Sequence, residues 1–594
     1  MTMRKFLIFV LGAGLWLNVA FAQPAEDLEF TLDIESKTVS LPKTIRPHID
    51  LSGRGSYRQN TWPQGLAAPE VLGAWEKDIG FGGIYRLQYN LWEISQLKDK
   101  EAKDKLLGNY EQIIEKITQS GGIVILDIFG TPAGLGKALD RKSPPWDLRG
   151  FKSLIKEYIR TLSCTKRYNV WYELWSAPDL DDFFLGGKQE YLNMYRALAE
   201  CVNELEEEAK IHIPLGGPST SAWFQSLEGN TIATPERSLI YELIKFAAHY
   251  HLPLDFISWH AYSTDPKIEQ TATTYNKNAQ ALIRDWLSYF KLDRNTPLII
   301  DEWNYDTSAN VLPERQEKSF VAASYIPARL KDMYESGIDY QTYFSLEDFH
   351  NNKEGVVRNV GVFGFEAEYS DYRGAAKATY NTMRMLSSMG QEMFTSAADL
   401  NNEFVGVLAT KGKEYVTVIV FNYIDPDIAR DYLSRNIAAL NGAERKILLN
   451  IISSGNLNKA LEKSLDISKI RSTNRVKALL KKAVELNDQA ARFKEEPRNL
   501  KITIKNLKED YLYQRYVVDS SCSKNCKFLP NEEKELTNIG SYQETLILKP
   551  YSVNMLIFRQ RPKGPPPAVA AEKQVLPAAG DGNTTTDKDK SVGS

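Results

Sequence analysis

Between about residues 45 and 390 the chain repeats one pattern eight times: a short β-type run, a turn, then an amphipathic helical run. The strand-type runs are "PHIDLSGRG", "GGIYRLQYNLW", "GIVILDIFGTP", "VWYELWSAP", "HIPLGGPST", "LDFISWHAY", "PLIIDEWNY" and "YQTYFSLEDF". Helical stretches such as "PEVLGAWEKDIG", "NYEQIIEKITQSGG" and "EYLNMYRALAECVNELEEEA" separate them, and "GAAKATYNTMRMLSSMG" closes the series. Eight strands and eight helices in strict alternation predict an α/β fold, a (β/α)8 TIM barrel spanning 45–392. A doubly wound open sheet is the competing arrangement, but no glycine fingerprint follows the first strand.

At 594 residues the chain exceeds one compact core, so further structure is expected outside the barrel. After Gly390 the pattern turns to alternating strands, among them "FVGVLAT", "EYVTVIVFNY", "RNLKITIKNL" and "ETLILKPYSVNMLIF", which predict an accessory β-sandwich over 393–560. The early segment 23–44, with "EFTLDIESKTVSL", alternates in the same way and is assigned to that sandwich. A charged helical insert is expected over about 456–497, and a disordered Pro/Ala/Gly-rich tail over 561–594.

The start, "MTMRKFLIFVLGAGLWLNVAFAQ", has a basic opening, an apolar run and small residues at Ala20 and Ala22. It reads as a signal peptide over 1–22, cut before Gln23, an uncleaved anchor being the alternative. No later run reaches the roughly 18 apolar residues of a membrane span. The mature chain is therefore expected to be exported, periplasmic or extracellular, without membrane insertion. A net charge of −3 gives no general attraction to nucleic acid. The four cysteines suit an exported chain: Cys522 and Cys526 are close enough to clip a turn, and Cys164 and Cys201, near the ends of consecutive helices, are read as a second disulfide. No Cys or His partners lie at zinc spacing, and neither a metal nor another cofactor is expected.

In barrels of this kind the working residues sit where strands end. Those ends carry Arg86 and Gln88, Asp127, the Ser176-Ala177 region, Ser219, His260 and Tyr262, Glu302 and Asn304, then Glu347 and Asp348. With Trp175, Trp259 and Trp303 they form the mixture of fixed polar groups and apolar faces that hydroxyl-rich ligands require. Glu302 stands out, because a carboxylate ending the apolar run "PLIID" is costly unless partnered or used.

Four stretches together resemble glycoside hydrolase family 39: "LDFISWHAY", "LIIDEWNYD", "NVGVFGFEAEYSDYRGAAKATYNTMRML" and "VWYELWSAPDLDDFF". The resemblance covers nearly the whole mature chain. It implies a carbohydrate partner, a glycosidase activity, and the nucleophile role for Glu302. The strand-end positions Arg86, Gln88, Trp175, Ser176, His260, Tyr262, Asn304 and Glu347 are then the expected substrate contacts, His260 and Tyr262 lying in the stretch that resembles the family's sixth strand. The departure is at the fourth strand, where such relatives carry Trp-Asn-Glu-Pro. Here the Asn position is Ser176 and the acid/base position is Ala177. A second departure is Gln88, where the family has His.

General acid/base assistance is worth about 10²–10⁴-fold, so an alanine there predicts slow turnover of ordinary glycosides. Asp179, about 7 Å further along an extended chain, is the first candidate for a substitute acid, and Glu347 the second. Glu173 has the parity of Ala177 but lies roughly 13 Å deeper, and is read as structural. Three functions compete: a glycosidase with a non-standard acid, a saccharide-binding or exopolysaccharide-assembly protein, and, less favoured, a transglycosylase.

Overall fold

The computed structural model describes residues 28–561 apart from 54–60, 225–226, 229–230, 233, 263–277, 306–318, 352–355, 359, 365–374, 397–399, 401 and 523–524. The expected signal peptide, and the tail beyond Arg561, lie outside the described residues. Among the described residues no helix is long and apolar enough to cross a membrane.

The eight barrel strands run Ile49–Asp50, Ile84–Asn90, Ile123–Phe129, Val170–Leu174, Leu215–Thr220, Phe256–Tyr262, Leu298–Asn304 and Tyr340–Tyr343. All are parallel, and the eighth pairs with the first through Tyr343 and Ile49, closing the barrel. A helix follows each strand, from Pro69–Asp78 after the first to Ala378–Ser387 after the eighth. These strands read as near-continuous apolar runs because both faces are buried, one against the helices and one inside the barrel.

The barrel interior is layered. Ile84, Ile125, Phe256 and Ile299 form an apolar plug, sealed by Trp171 and Tyr340. Two residues further along each strand, alternation brings the next inward side chains: Arg86, Asp127, Glu173, Ser258 and Asp301. A charged layer therefore sits directly on a dry one, on the side where the strands end.

The accessory domain is two packed sheets. One is a three-stranded sheet in which Leu28–Asp33 pairs parallel to Arg498–Leu507, itself antiparallel to Gly540–Leu548. The other has seven strands and includes Thr38–Ser40, Val405–Lys411, Tyr415–Asn422 and Ser552–Gln560. Val416, Val418 and Val420 face Leu500 and Ile502 across the sandwich. The alternate residues Ile419 and Phe421 join the barrel's own core. A strand buried on both faces thus welds the two domains.

The helical insert begins earlier than expected, at Ile428 rather than about 456, and runs through four helices to Phe493. Asn441 and Glu444 form a reciprocal N-terminal cap on Gly442–Ser453, and Leu433, Leu448, Val476 and Leu480 make a separate small core. The extra helices are short, so their periodicity is weak in the sequence.

The second disulfide is corrected. Cys522–Cys526 is bonded, whereas Cys164 and Cys201 are free thiols. Burial raises the hydroxyl of Tyr172, which hydrogen-bonds Ser163 at 2.8 Å, and both thiols lie near enough to add to that rise. Proximity along consecutive helices does not fix the sulfur-to-sulfur geometry a disulfide needs. Alkylation of the unfolded, unreduced protein should label two cysteines. Labelling of none would restore the second bridge.

Candidate active site

Arg86 is the hub of the charged layer. Its guanidinium lies within ion-pair distance of five carboxylates: Glu302 at 2.5 Å, Glu173 at 2.9 Å, Asp50 and Asp127 at 3.2 Å, and Asp301 at 3.7 Å. Ser219 Oγ donates to Asp301 at 2.5 Å and also meets Arg86 and His260 Nε2. Ser258 Oγ donates to Glu173 at 2.6 Å. One cation cannot neutralise five buried acids, and an uncompensated buried carboxylate takes up a proton instead. Burial accordingly pushes Asp127 up to about 8 and Asp50 up to about 6 against the pull of Arg86, and drives Asp301 well above the usual range.

Glu302 goes the other way. Burial alone would raise it, but the neighbouring His260, the permanent charge of Arg86 and the Tyr262 hydroxyl hold it below the ordinary range. Tyr262 Oη donates to its Oε2 at 2.7 Å, Arg86 and Ser176 Oγ (3.3 Å) to its Oε1, and His260 Nδ1 stands 3.5 Å away. Its side chain is 11% exposed, against 0% for the other four acids. The cluster therefore presents one ionised oxygen donor to the mouth. Burial lowers His260 in turn, against the opposing pull of the Glu302 charge.

Two irregularities build this arrangement. The register slips between Trp259 and His260 and again between Ile300 and Trp303, so Asp301 and Glu302 both reach the cluster. A bulge next to an active site characteristically re-aims a side chain in this way. At the fourth strand Trp175 takes φ +69° and Ala177 φ +47°, which swings Trp175 outward and brings Ser176 in. Each left-handed non-glycine residue costs about 1–2 kcal/mol, strain of the kind concentrated at functional sites.

Several expected contacts are corrected. Trp175 is fully buried against Phe129 and Phe184, its Nε1 donating to Phe183 O, so it packs the core and does not face the mouth. Trp259 and Trp303 are likewise core residues. Asn304 spends its amide on the carbonyls of Phe344 and Val360. Glu347 is fully buried, accepts from Ala68 N at 3.0 Å, and closes on Gly53, where an added methyl would fall 2.6 Å from its Oε2. Asp179 gives both oxygens to Ser221, N and Oγ at 2.8 Å each. Arg86 is buried beneath Glu302 and holds that carboxylate rather than a ligand. Gln88, half-buried, approaches Asp127 at 3.4 Å. Asp50 and Asp301 join the cluster from within their strands rather than from the strand ends, and a single acid inside each apolar run ("PHIDL", "VILDIF", "VWYEL", "PLIID") is the signal that marks them.

The cluster makes stability pH-dependent. Asp127 keeps its proton in the folded state up to about 8 but loses it near 4 when unfolded, so stability falls as pH rises through that window. The lowered histidines, His48 (about 3) and His260, act oppositely, but only until unfolded histidine deprotonates near 6.5. Between pH 6.5 and 8 the expected loss from Asp127 is about 2 kcal/mol. Asp127→Asn should flatten that decline in a thermal-melt series, and an unchanged slope would remove Asp127 as its source.

A closed parallel barrel whose mouth presents one ionised carboxylate, gripped by arginine and tyrosine, is the architecture of a (β/α)8 glycoside hydrolase. The profile of glycosyl hydrolases family 39 matches residues 143–447, a little over half the chain. The chain belongs to that family.

Its relatives include the β-xylosidase of Caldicellulosiruptor saccharolyticus, 23% identical over 296 residues (48% of this chain, 55% of that one). The β-xylosidase of Geobacillus stearothermophilus is 25% identical over 270 residues (42% and 48%). The chain spans about half the length of these relatives. The GH39 enzyme from Xanthomonas axonopodis pv. citri shares the fold with a TM-score of 0.60 at 13% identity, covering 92% of this chain and 100% of that one. A glucosidase from Croceicoccus marinus does so with a TM-score of 0.60 at 14% identity, covering 91% and 100%.

Proposed function

We propose that the protein is an exported glycosidase that acts on a poly- or oligosaccharide through Glu302 without an intrinsic general acid. The observation that carries this reading is Glu302 itself: an ionised carboxylate at the mouth, fixed by Arg86 and Tyr262. Its oxygen attacks the anomeric carbon, the glycosidic bond breaks, and the leaving group departs with the electron pair, giving a glycosyl ester. Water then attacks the same carbon, its proton passes to solvent, and the carboxylate is released.

In a retaining enzyme a second carboxyl group stands about 5–5.5 Å from the first and protonates the leaving oxygen. Here the corresponding side chain is the methyl of Ala177, and the substitutes read from the sequence, Asp179 and Glu347, are engaged by Ser221 and Ala68. Departure must then depend on the leaving group's own acidity. The basic, apolar, small-residue start of the chain supports export.

The test is a series of aryl and alkyl β-xylosides and β-glucosides of decreasing leaving-group acidity. The reading expects rates to fall steeply along the series, with alkyl glycosides nearly inert. Fast turnover of alkyl glycosides with no such dependence would contradict it. The engagement of Asp179 and Glu347 also favours a second reading, a saccharide-binding protein that no longer cuts. Tight saccharide binding, with no reaction even of dinitrophenyl glycosides, would support that one.

A further inference from the structure

The helical insert plays no part in the chemistry at the strand ends, yet it carries the strongest charge asymmetry in the molecule. Residues 428–493 hold thirteen Lys and Arg against six Asp and Glu, a net +7 in a chain that totals −3. The remainder therefore stands at −10. Within the insert the charge is concentrated again, because residues 463–482 hold seven Lys and Arg and a single acid, Asp466.

Lys469, Arg471, Arg475 and Lys481 are exposed and Lys477 is half-buried. They come from the short turn Ile467–Lys469 and the first turns of the helix Asn474–Phe493. Lys477 Nζ donates to Ser468 O at 2.8 Å, which ties helix to turn. Asp466, lowered first by its hydrogen bonds to Ser468, also feels the charges of Lys469 and Lys481, so the two segments lie side by side. None of these five cations has an ion-pair partner among the described residues, and the acids further along the helix are engaged elsewhere: Asp488 with Lys463 at 3.3 Å and Glu485 with Lys482 at 3.0 Å. The barrel surface is built differently. There Lys152, Lys156 and Arg160 meet Glu200, Glu204 and Glu208 of the next helix at 2.6–3.3 Å. Like charges four apart on a helix, such as Lys477 and Lys481, repel, so an unmatched face opposes folding until a polyanion covers it.

The rest of the insert narrows the polyanion. No large apolar side chain of residues 428–493 is exposed, so the face offers a bilayer nothing to sink into it. Single-stranded nucleic acid stacks its bases on aromatic rings, whereas the insert's two aromatics, Tyr432 and Phe493, are packed into a core. A polymer of acidic sugars asks only for spaced cations that hydrogen-bond its carboxylates. The insert is also rooted at the barrel's working end. Tyr423, just before it, packs on Tyr325 with ring centroids 5.6 Å apart, and Tyr325 Oη donates at 3.5 Å to the carbonyl of Asn304, where the strand of Glu302 ends.

We infer that this basic face of the insert binds an acidic polysaccharide, a polymer bearing carboxylates, and tethers the barrel to it. That the polyanion is a saccharide rests on the reading of the chain as an exported glycosidase. The face itself is separate from Glu302, whose mouth is lined by carboxylates and repels the same groups.

The test measures binding of the full-length chain to immobilised polygalacturonate, with phosphatidylglycerol vesicles and duplex DNA as the other arms. Affinity for polygalacturonate should fall about tenfold or more between 50 and 200 mM NaCl, as released counterions are paid back. Arg471→Glu, Arg475→Glu and Lys481→Glu combined should lower it about tenfold or more at the lower salt. The same variant should keep its melting temperature and its turnover of dinitrophenyl glycosides, because none of the three side chains is bonded within the fold. Lys152→Gln with Lys156→Gln, which removes matched cations, should leave binding as it was. Binding that survives the triple substitution overturns the inference. So does a failure to hold polygalacturonate, whether or not vesicles or DNA are held, and both results leave Glu302 untouched. A chain that binds polygalacturonate through these residues, yet is never labelled at Glu302 by a fluoroglycoside, supports the basic face and overturns the glycosidase reading.

Discussion

Restoring the missing acid, Ser176→Asn with Ala177→Glu, should raise hydrolysis of glycosides with poor leaving groups by about 10²-fold or more. The expectation follows from three facts at one strand end. Glu302 is already ionised and aimed at the mouth. Ser176 Oγ already contacts Glu302 Oε1, so residue 176 needs no backbone movement to reach the site. Ala177 sits at φ +47°, and alanine bears the steric cost of its Cβ there, so glutamate adds little further strain. The gain should grow as the leaving group becomes less acidic, because protonation matters most there. Rates that stay flat across the leaving-group series would mean that the surrounding walls no longer admit a substrate.

Glu302→Gln should have the opposite signature: loss of about 10⁴-fold or more of whatever turnover the natural chain shows, the scale typical of removing a nucleophile. The fold should not suffer. The amide oxygen can still accept from Arg86 and Ser176, with its NH2 turned to the Tyr262 oxygen, while one negative charge leaves a group of five carboxylates served by a single arginine. Melting temperature is expected to hold or rise, with a stability change within about 1 kcal/mol. A functional site that opposes stability shows this pairing. Turnover that survives the substitution would remove Glu302 from the mechanism, and a collapse of stability would mean that its role is structural.

The barrel was legible because every crossover leaves a two-part mark, a buried apolar run and an amphipathic helix, and eight repeats leave little ambiguity. Glu302 was legible because a carboxylate ending an apolar strand needs a reason. The directions of individual side chains were not. Alternation assigns Trp175 to the mouth and Ser176 away from it, and only a left-handed Trp175 reverses them. Alternation also puts Asp301 and Glu302 on opposite faces, and only the slipped register between Ile300 and Trp303 lets both reach the cluster. Asn304 and Glu347 have the right residue types at the right strand ends, yet neighbouring backbone takes up their polar atoms. Such outcomes depend on partners distant in the chain, which local pattern does not record. The same holds for Cys164 and Cys201, neighbours in helix order but not bonded.

The claim on which the rest depends is that Glu302 forms a bond to sugar carbon. Incubation with 2,4-dinitrophenyl 2-deoxy-2-fluoro-β-xyloside and its β-glucoside counterpart, followed by intact-mass and peptide mass spectrometry, tests it directly. The account predicts a mass increase of one fluoroglycosyl unit, confined to the peptide that carries Glu302 and absent from Glu302→Gln. A label on another carboxylate, with Glu302 unmodified, would contradict it.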